Sequence, residues 1–141
     1  MTGAASALES AVPGSFALPM PLRFPPPVVR TAFALALVVI FWLAMIPLPE
    51  ALTEFSFQDK VEHTGAFVLL TLMGVTGFPL RRTAVAAGLV AYGLLIEVCQ
   101  HRFTTNRVGD PWDWLADSVG VFIGLRLAGW FARRVVNIAR A

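Results

Sequence analysis

"VVRTAFALALVVIFWLAMI", residues 28–46, carries one charge, Arg30, in an otherwise apolar run that stops at Pro47. A helix that crosses a bilayer needs ~20 such residues, with a lower limit of about 17. The run meets that requirement, so its reading decides the fold class: a membrane-spanning helix. A secretory signal peptide competes for the same residues, because Arg30 precedes the apolar stretch. The stretch is too long for a typical signal core, and Pro47-Leu48-Pro49-Glu50 replaces the small-x-small cleavage site. It is read as an uncleaved anchor.

Upstream, residues 1–27 are rich in Ala, Ser, Gly and Pro, end in Pro25-Pro26-Pro27 and lack periodicity. They are predicted to form a flexible cytoplasmic tail, with Met20 competing with Met1 as the start. Downstream, three more apolar stretches follow at 64–80, 83–100 and 112–131. The last qualifies as a span outright, and the middle two qualify when their polar ends reach the interface. Pro79-Leu80-Arg81-Arg82 is a tight connection, so the second and third spans form an antiparallel hairpin. The expectation is an all-α integral membrane bundle of four transmembrane helices over residues 28–134, followed by a short basic tail, 135–141.

Composition agrees with that class. The 141 residues are 57% hydrophobic and 14% charged, with a mean hydropathy of +0.70, far oilier than a soluble domain. The single cysteine, Cys99, excludes an internal disulfide and a CxxC knuckle. Arginines are dispersed along the chain instead of forming a basic block, which argues against a nucleic-acid partner.

Arginine also orients the spans. Arg23, Arg30, Arg81, Arg82, Arg133, Arg134 and Arg140 fall on one side, and Lys60, Arg102 and Arg107 on the other. The positive-inside rule places both termini and the 81–82 turn in the cytoplasm, in a multi-pass protein of the inner membrane. Arg126 lies near enough to the cytoplasmic interface to snorkel. The acids sort the opposite way: Glu50, Glu54, Asp59, Glu62, Glu97, Asp110, Asp113 and Asp117 all gather at or near the outer face.

Counting along helices brings some of them together. Glu97 is about 21 Å above the start of its span and Asp117 about 9 Å below the start of its own, nearly one level in a core of roughly 30 Å. Asp110, Asp113 and Asp117 share a face that Gly120 and Gly124 continue as a GxxxG step, so the acid stripe points at a neighbouring helix. Glu97, Gln100 and His101 share a face of the third span, and Asp59, Lys60 and His63 open the second.

Simpler roles account for part of this set. Asp110-Pro111 is a strong helix start, with aspartate as the cap. Asp59-Lys60-Val61-Glu62 has the form of a capping box. Phe103, Trp112 and Trp114 suit an interfacial aromatic belt. Glu97 and Asp117 have no such explanation, because an acid inside an apolar span implies pairing or function.

Two chemistries fit. A carboxylate at low dielectric serves as a general acid or base while an arginine binds an anionic group. Alternatively, Glu97, His101, His63 and Asp117 form a donor set for a divalent ion. No HExxH or comparable motif supports that set, so no metal ligand is assigned and the cofactor stays open. No GxSxG elbow or phosphate-cradling glycine loop is present either.

These residues carry a resemblance. Asp59-Lys60-x-x-His63, Glu97-x-x-Gln100, Arg107 and Asp113-x-x-x-Asp117-x-x-Gly120 resemble the VanZ-like family of small bacterial membrane proteins over roughly residues 30–131. The resemblance implies a four-helix membrane domain and, through the founding member, a link to teicoplanin resistance; it implies no settled reaction. Carried over by position, the site is Asp59, Lys60, His63, Glu97, Gln100, Arg107, Asp113 and Asp117. Asp117 departs from the family pattern, in which asparagine is common, and adds an acid that needs a proton, a cation or Arg107 to neutralise it.

Glu97 and His63 are the acid/base candidates, and Lys60, Gln100, Arg107, Asp113, Asp117 and Asp59 the substrate-binding candidates. The expected partners are membrane lipid and a lipid-linked envelope precursor, with a homo-oligomer left open. The competing reading is a structural or accessory protein whose polar cluster is a buried salt-bridge network.

Overall fold

The computed structural model describes residues 25–46, 57–104 and 109–138. Most of the expected tail, the start at Met20 and Arg107 lie outside the described residues. Within them the chain is all helical. α1 spans Pro26–Met45, α2 Phe57–Gly77, α3 Arg82–Phe103 and α4 Pro111–Ile138, with a 3-10 turn at Pro79–Arg81 between α2 and α3.

The bounds follow local chemistry. α1 begins two residues before the expected 28, because prolines at the first helical positions lose no hydrogen bond. α2 begins at Phe57, so Asp59 lies within the first turn and not at a cap, where the dipole still favours its charge. α4 continues past 131 to Ile138, since nothing in 132–138 breaks a helix.

α1, the stretch Pro79–Phe103 and α4 are long and apolar enough to cross a membrane. α2 is not among them, because Gln58, Asp59, Lys60, Glu62 and His63 occupy its first two turns. It is also the helix most enclosed by others: it packs chiefly on α4, then on α1 and α3. The least apolar helix is thus the one whose polar side chains meet protein.

The core joins Phe67 and Leu70 of α2, Leu89 and Ile96 of α3 and Val121 of α4, with Phe33, Leu37 and Ile40 of α1 against it. Outside this core, Leu35, Val38, Trp42, Leu94, Phe122 and Phe131 are exposed, an apolar surface suited to lipid.

Close approach of α2 and α4 depends on the GxxxG face. A Cβ on Gly120 would sit 2.5 Å from the Thr64 carbonyl oxygen, and one on Gly124 2.6 Å from Thr71 Cβ. Thr64 Oγ1 also donates to the Ala116 carbonyl at 3.1 Å. The 79–82 connection is as tight as expected, yet α2 pairs more with α4 than with its sequence neighbour α3.

Opposite ends of the bundle carry opposite chemistry. At one, Arg30 Nε donates to the Gly77 carbonyl at 2.8 Å and its guanidinium lies 4.8 Å from the Phe78 ring, beside Arg81 and Arg82. At the other, the start of α2, the end of α3 and the start of α4 converge.

Candidate functional site

Lys60 lies near the start of α2 and faces the start of α4. Its Nζ donates to Asp110 Oδ2 at 2.6 Å and to Asp113 Oδ1, and is 3.7 Å from Asp59 Oδ2. One ammonium therefore meets three carboxylates. One helical turn further along α2, His63 Nδ1 and Asp117 Oδ1 share a hydrogen bond at 2.9 Å, and Nε2 is 4.0 Å from Asp113 Oδ2. The i, i+3 step in α2 matches the i, i+4 step from Asp113 to Asp117, which is why two consecutive pairs form across this interface.

Glu97 enters from α3. Its Oε2 accepts the Asp110 backbone N–H at 2.7 Å and ties the segment before α4 to the end of α3. Gly109 makes that approach feasible, since a Cβ there would overlap the Glu97 carbonyl oxygen. Asp110 also caps α4: Oδ1 accepts the Trp112 N–H at 2.9 Å. Burial works against the Asp110 carboxylate, but the Lys60 ammonium and the Trp112 N–H outweigh it and hold Asp110 below the usual aspartate range.

Asp117 is the deepest member. It is 0% exposed, and Glu97 is 7% exposed. Asp117 Oδ2 and Glu97 Oε1 are buried and have no hydrogen-bond partner among the described residues. Gly93, one turn before Glu97 on α3, provides the space for Asp117: a Cβ there would sit 2.7 Å from Oδ2.

The structure thus brings together Asp59, Lys60, His63, Glu97, Asp113 and Asp117. It separates two residues expected with them. Gln100 is buried but turns to α1, where Nε2 donates to the Ala44 carbonyl at 3.1 Å; its i+3 position from Glu97 carries it round toward that helix. His101 is exposed and stands outside the cluster. Trp114 likewise leaves the expected aromatic belt, because its Nε1–H donates to the Val90 carbonyl at 3.1 Å and pins α4 to α3. Trp112 and Phe103 are exposed, as a belt requires.

Two residues escape sequence reasoning. Asp110 is both cap and Lys60 partner, and its capping signal masks the second role. Gly93 has a legible signal only in retrospect, a small residue at i−4 from Glu97 on the same helix face.

Chemically, the cluster offers an imidazole oriented by a carboxylate, the arrangement of a positioned general base. It also offers carboxylates well in excess of cations. His63, Glu97 and Asp117 each present an atom within 4.8 Å of the others, as do Asp59, His63 and Asp113.

No family model matches the chain, and no curated protein or solved structure does. Fold and site together define the class: an all-helical protein, three of whose described helices are long and apolar enough to cross a membrane, with a buried acidic cluster at one end of its bundle.

Proposed function

We propose that this chain is a four-span, VanZ-like protein of the cytoplasmic membrane whose acidic end faces outward and binds the polar headgroup of an envelope lipid or lipid-linked cell-wall precursor. Support for the orientation comes from Arg30, Arg81 and Arg82 at the opposite end. α2 crosses with its apolar part, and its polar first turns meet α4 at the outer interface.

The observation that carries the reading is an open groove of about 360 Å³ beside the cluster. It is lined by Leu94, Val98 and Trp114 together with Glu97, His101 and Arg102. Apolar side chains suit an acyl or polyprenyl chain, and a few polar groups suit its head. Lys60 is engaged by three carboxylates, so the exposed Arg102 at the groove takes the anion-holding role. His63 and Glu97 are the acid/base candidates for any processing step. An effect on glycopeptide susceptibility belongs to the same reading through the precursor.

The test is binding of anionic lipid to the purified chain, followed by native mass spectrometry. Arg102→Ala and Glu97→Gln are each expected to weaken it about tenfold; unchanged binding in both would sink the proposal.

A second reading, a structural network, is favoured by the enclosure of Lys60 and by the Glu97 bond to Asp110 N–H. Breaking a buried pair typically costs ~3–5 kcal/mol. Glu97→Gln separates the two readings, because the amide oxygen can still accept that N–H. A folded variant with weakened binding favours the ligand site, and a variant that does not fold favours the network.

A further inference from the structure

The cluster divides into two halves of different electrostatic character. In one half, Asp59, Asp110 and Asp113 surround the Lys60 ammonium, so their charge already has a counterion. In the other, His63 is the only basic side chain among the described residues that meets Asp117 and Glu97. Both carboxylates are more than nine-tenths buried, and each keeps one buried oxygen, Asp117 Oδ2 and Glu97 Oε1, with no partner among the described residues. A buried carboxylate oxygen without a donor is costly, and a pair of them beside an imidazole calls for a cation.

We infer that His63, Glu97 and Asp117 bind a divalent transition-metal ion, with Zn²⁺ and Mn²⁺ the ions that one imidazole and two carboxylates suit. Zinc binds imidazole nitrogen and carboxylate oxygen at about 2.0–2.2 Å, which puts ligand atoms roughly 3–4 Å apart. The three side chains offer atoms within 4.8 Å of one another, so small side-chain shifts would bring them to ligand spacing and leave a fourth position open. Mixed nitrogen and oxygen donors favour Zn²⁺ and Mn²⁺ over Mg²⁺ and Ca²⁺, which prefer oxygen alone.

Three helices supply the three ligands, α2, α3 and α4, so the ion would also link them. The alternative trio, Asp59, His63 and Asp113, is disfavoured because Lys60 donates directly to Asp113 and lies against Asp59. Glu97 lines the groove as well, which puts the ion within reach of a bound headgroup. The metal inference goes beyond the headgroup reading and is tested without lipid ligand, so either can fail alone.

The experiment is calorimetric titration of the full chain, purified in detergent and stripped with chelator, using ZnCl₂ and MnCl₂ with MgCl₂ for comparison. One Zn²⁺ or Mn²⁺ per chain is expected, at least tenfold tighter than Mg²⁺. His63→Ala, Asp117→Asn and Glu97→Gln are each expected to weaken binding at least tenfold while circular dichroism verifies the fold. Glu62→Gln, an exposed acid outside the trio, is expected to stay within twofold. Should Asp117→Asn fail to fold, Glu97→Gln decides, since it keeps its bond to Asp110. Absence of binding by the folded wild-type chain, or undiminished binding in the folded trio variants, overturns the inference.

Discussion

Asp110 uses its two carboxylate oxygens for different purposes. Oδ1 caps α4 through the Trp112 N–H and Oδ2 accepts from Lys60. Asparagine is as good a cap as aspartate, whereas alanine is not. Asp110→Asn therefore loses only the partly exposed ion pair, about 1 kcal/mol or less, and Asp110→Ala loses the cap too, a further ~0.5–2 kcal/mol. Thermal melts in detergent are expected to rank them wild type, Asn, Ala. The folded carboxyl titrates below its unfolded value, so its stabilising contribution is present above the ordinary aspartate range and is lost as pH falls through the folded value. Wild type is thus expected to lose more stability than Asp110→Asn when pH drops from 6 to about 3. Equal losses would contradict the Lys60 assignment. At Gly93, the nearest atom to an added Cβ is the fully buried Asp117 Oδ2. Gly93→Ala is expected to destabilise by roughly 1–3 kcal/mol through overpacking, read from the melting temperature.

Among the helices, α2 and α4 form the principal interface, and it depends on small residues. Gly120→Ala and Gly124→Ala each force a methyl group into Thr64 or Thr71 and are expected to cost about 1–3 kcal/mol. Gly88, also within a helix, has open space where its Cβ would go. Gly88→Ala is expected to leave the melting temperature unchanged or raise it, since alanine is the better helix former. A uniform response across these three glycines would mean that packing at the GxxxG face is not what holds α2 to α4. The α3–α4 interface has a polar tie instead. Trp114→Phe keeps an aromatic side chain but loses part of its volume and the donor to Val90, which should cost at least about 1 kcal/mol.

For the whole molecule, the decisive question is whether α2 crosses the membrane. Phe57 at its start is 82% exposed and Leu80 just past its end is 98% exposed. Single cysteines at these positions, in a Cys99→Ser background, are expected to react with impermeant reagent from opposite faces of the membrane. Reaction from one face would sink the four-span topology.

Much of this was legible in the sequence. Residues 28–46 and 112–131 are apolar over a bilayer's length, and helices there follow from the need to satisfy every backbone group within the segment. The depth match of Glu97 and Asp117, the acid stripe above Gly120 and Gly124, and the charge separation between the two ends follow from helical rise and period. Partner choice was decided only by tertiary structure. Gln100 shares Glu97's helix face in projection, yet it reaches α1 because a side chain three residues on is rotated away from Glu97 by about 60°. Lys60 meets Asp59, Asp110 and Asp113 because packing of α2 on α4 sets its ammonium against the start of α4. The same packing leaves Asp117 and Glu97 each with one oxygen that has no partner among the described residues. Periodicity determines which residues share a face; which helix meets that face, and what stays unpaired, depends on contacts between residues far apart in the chain.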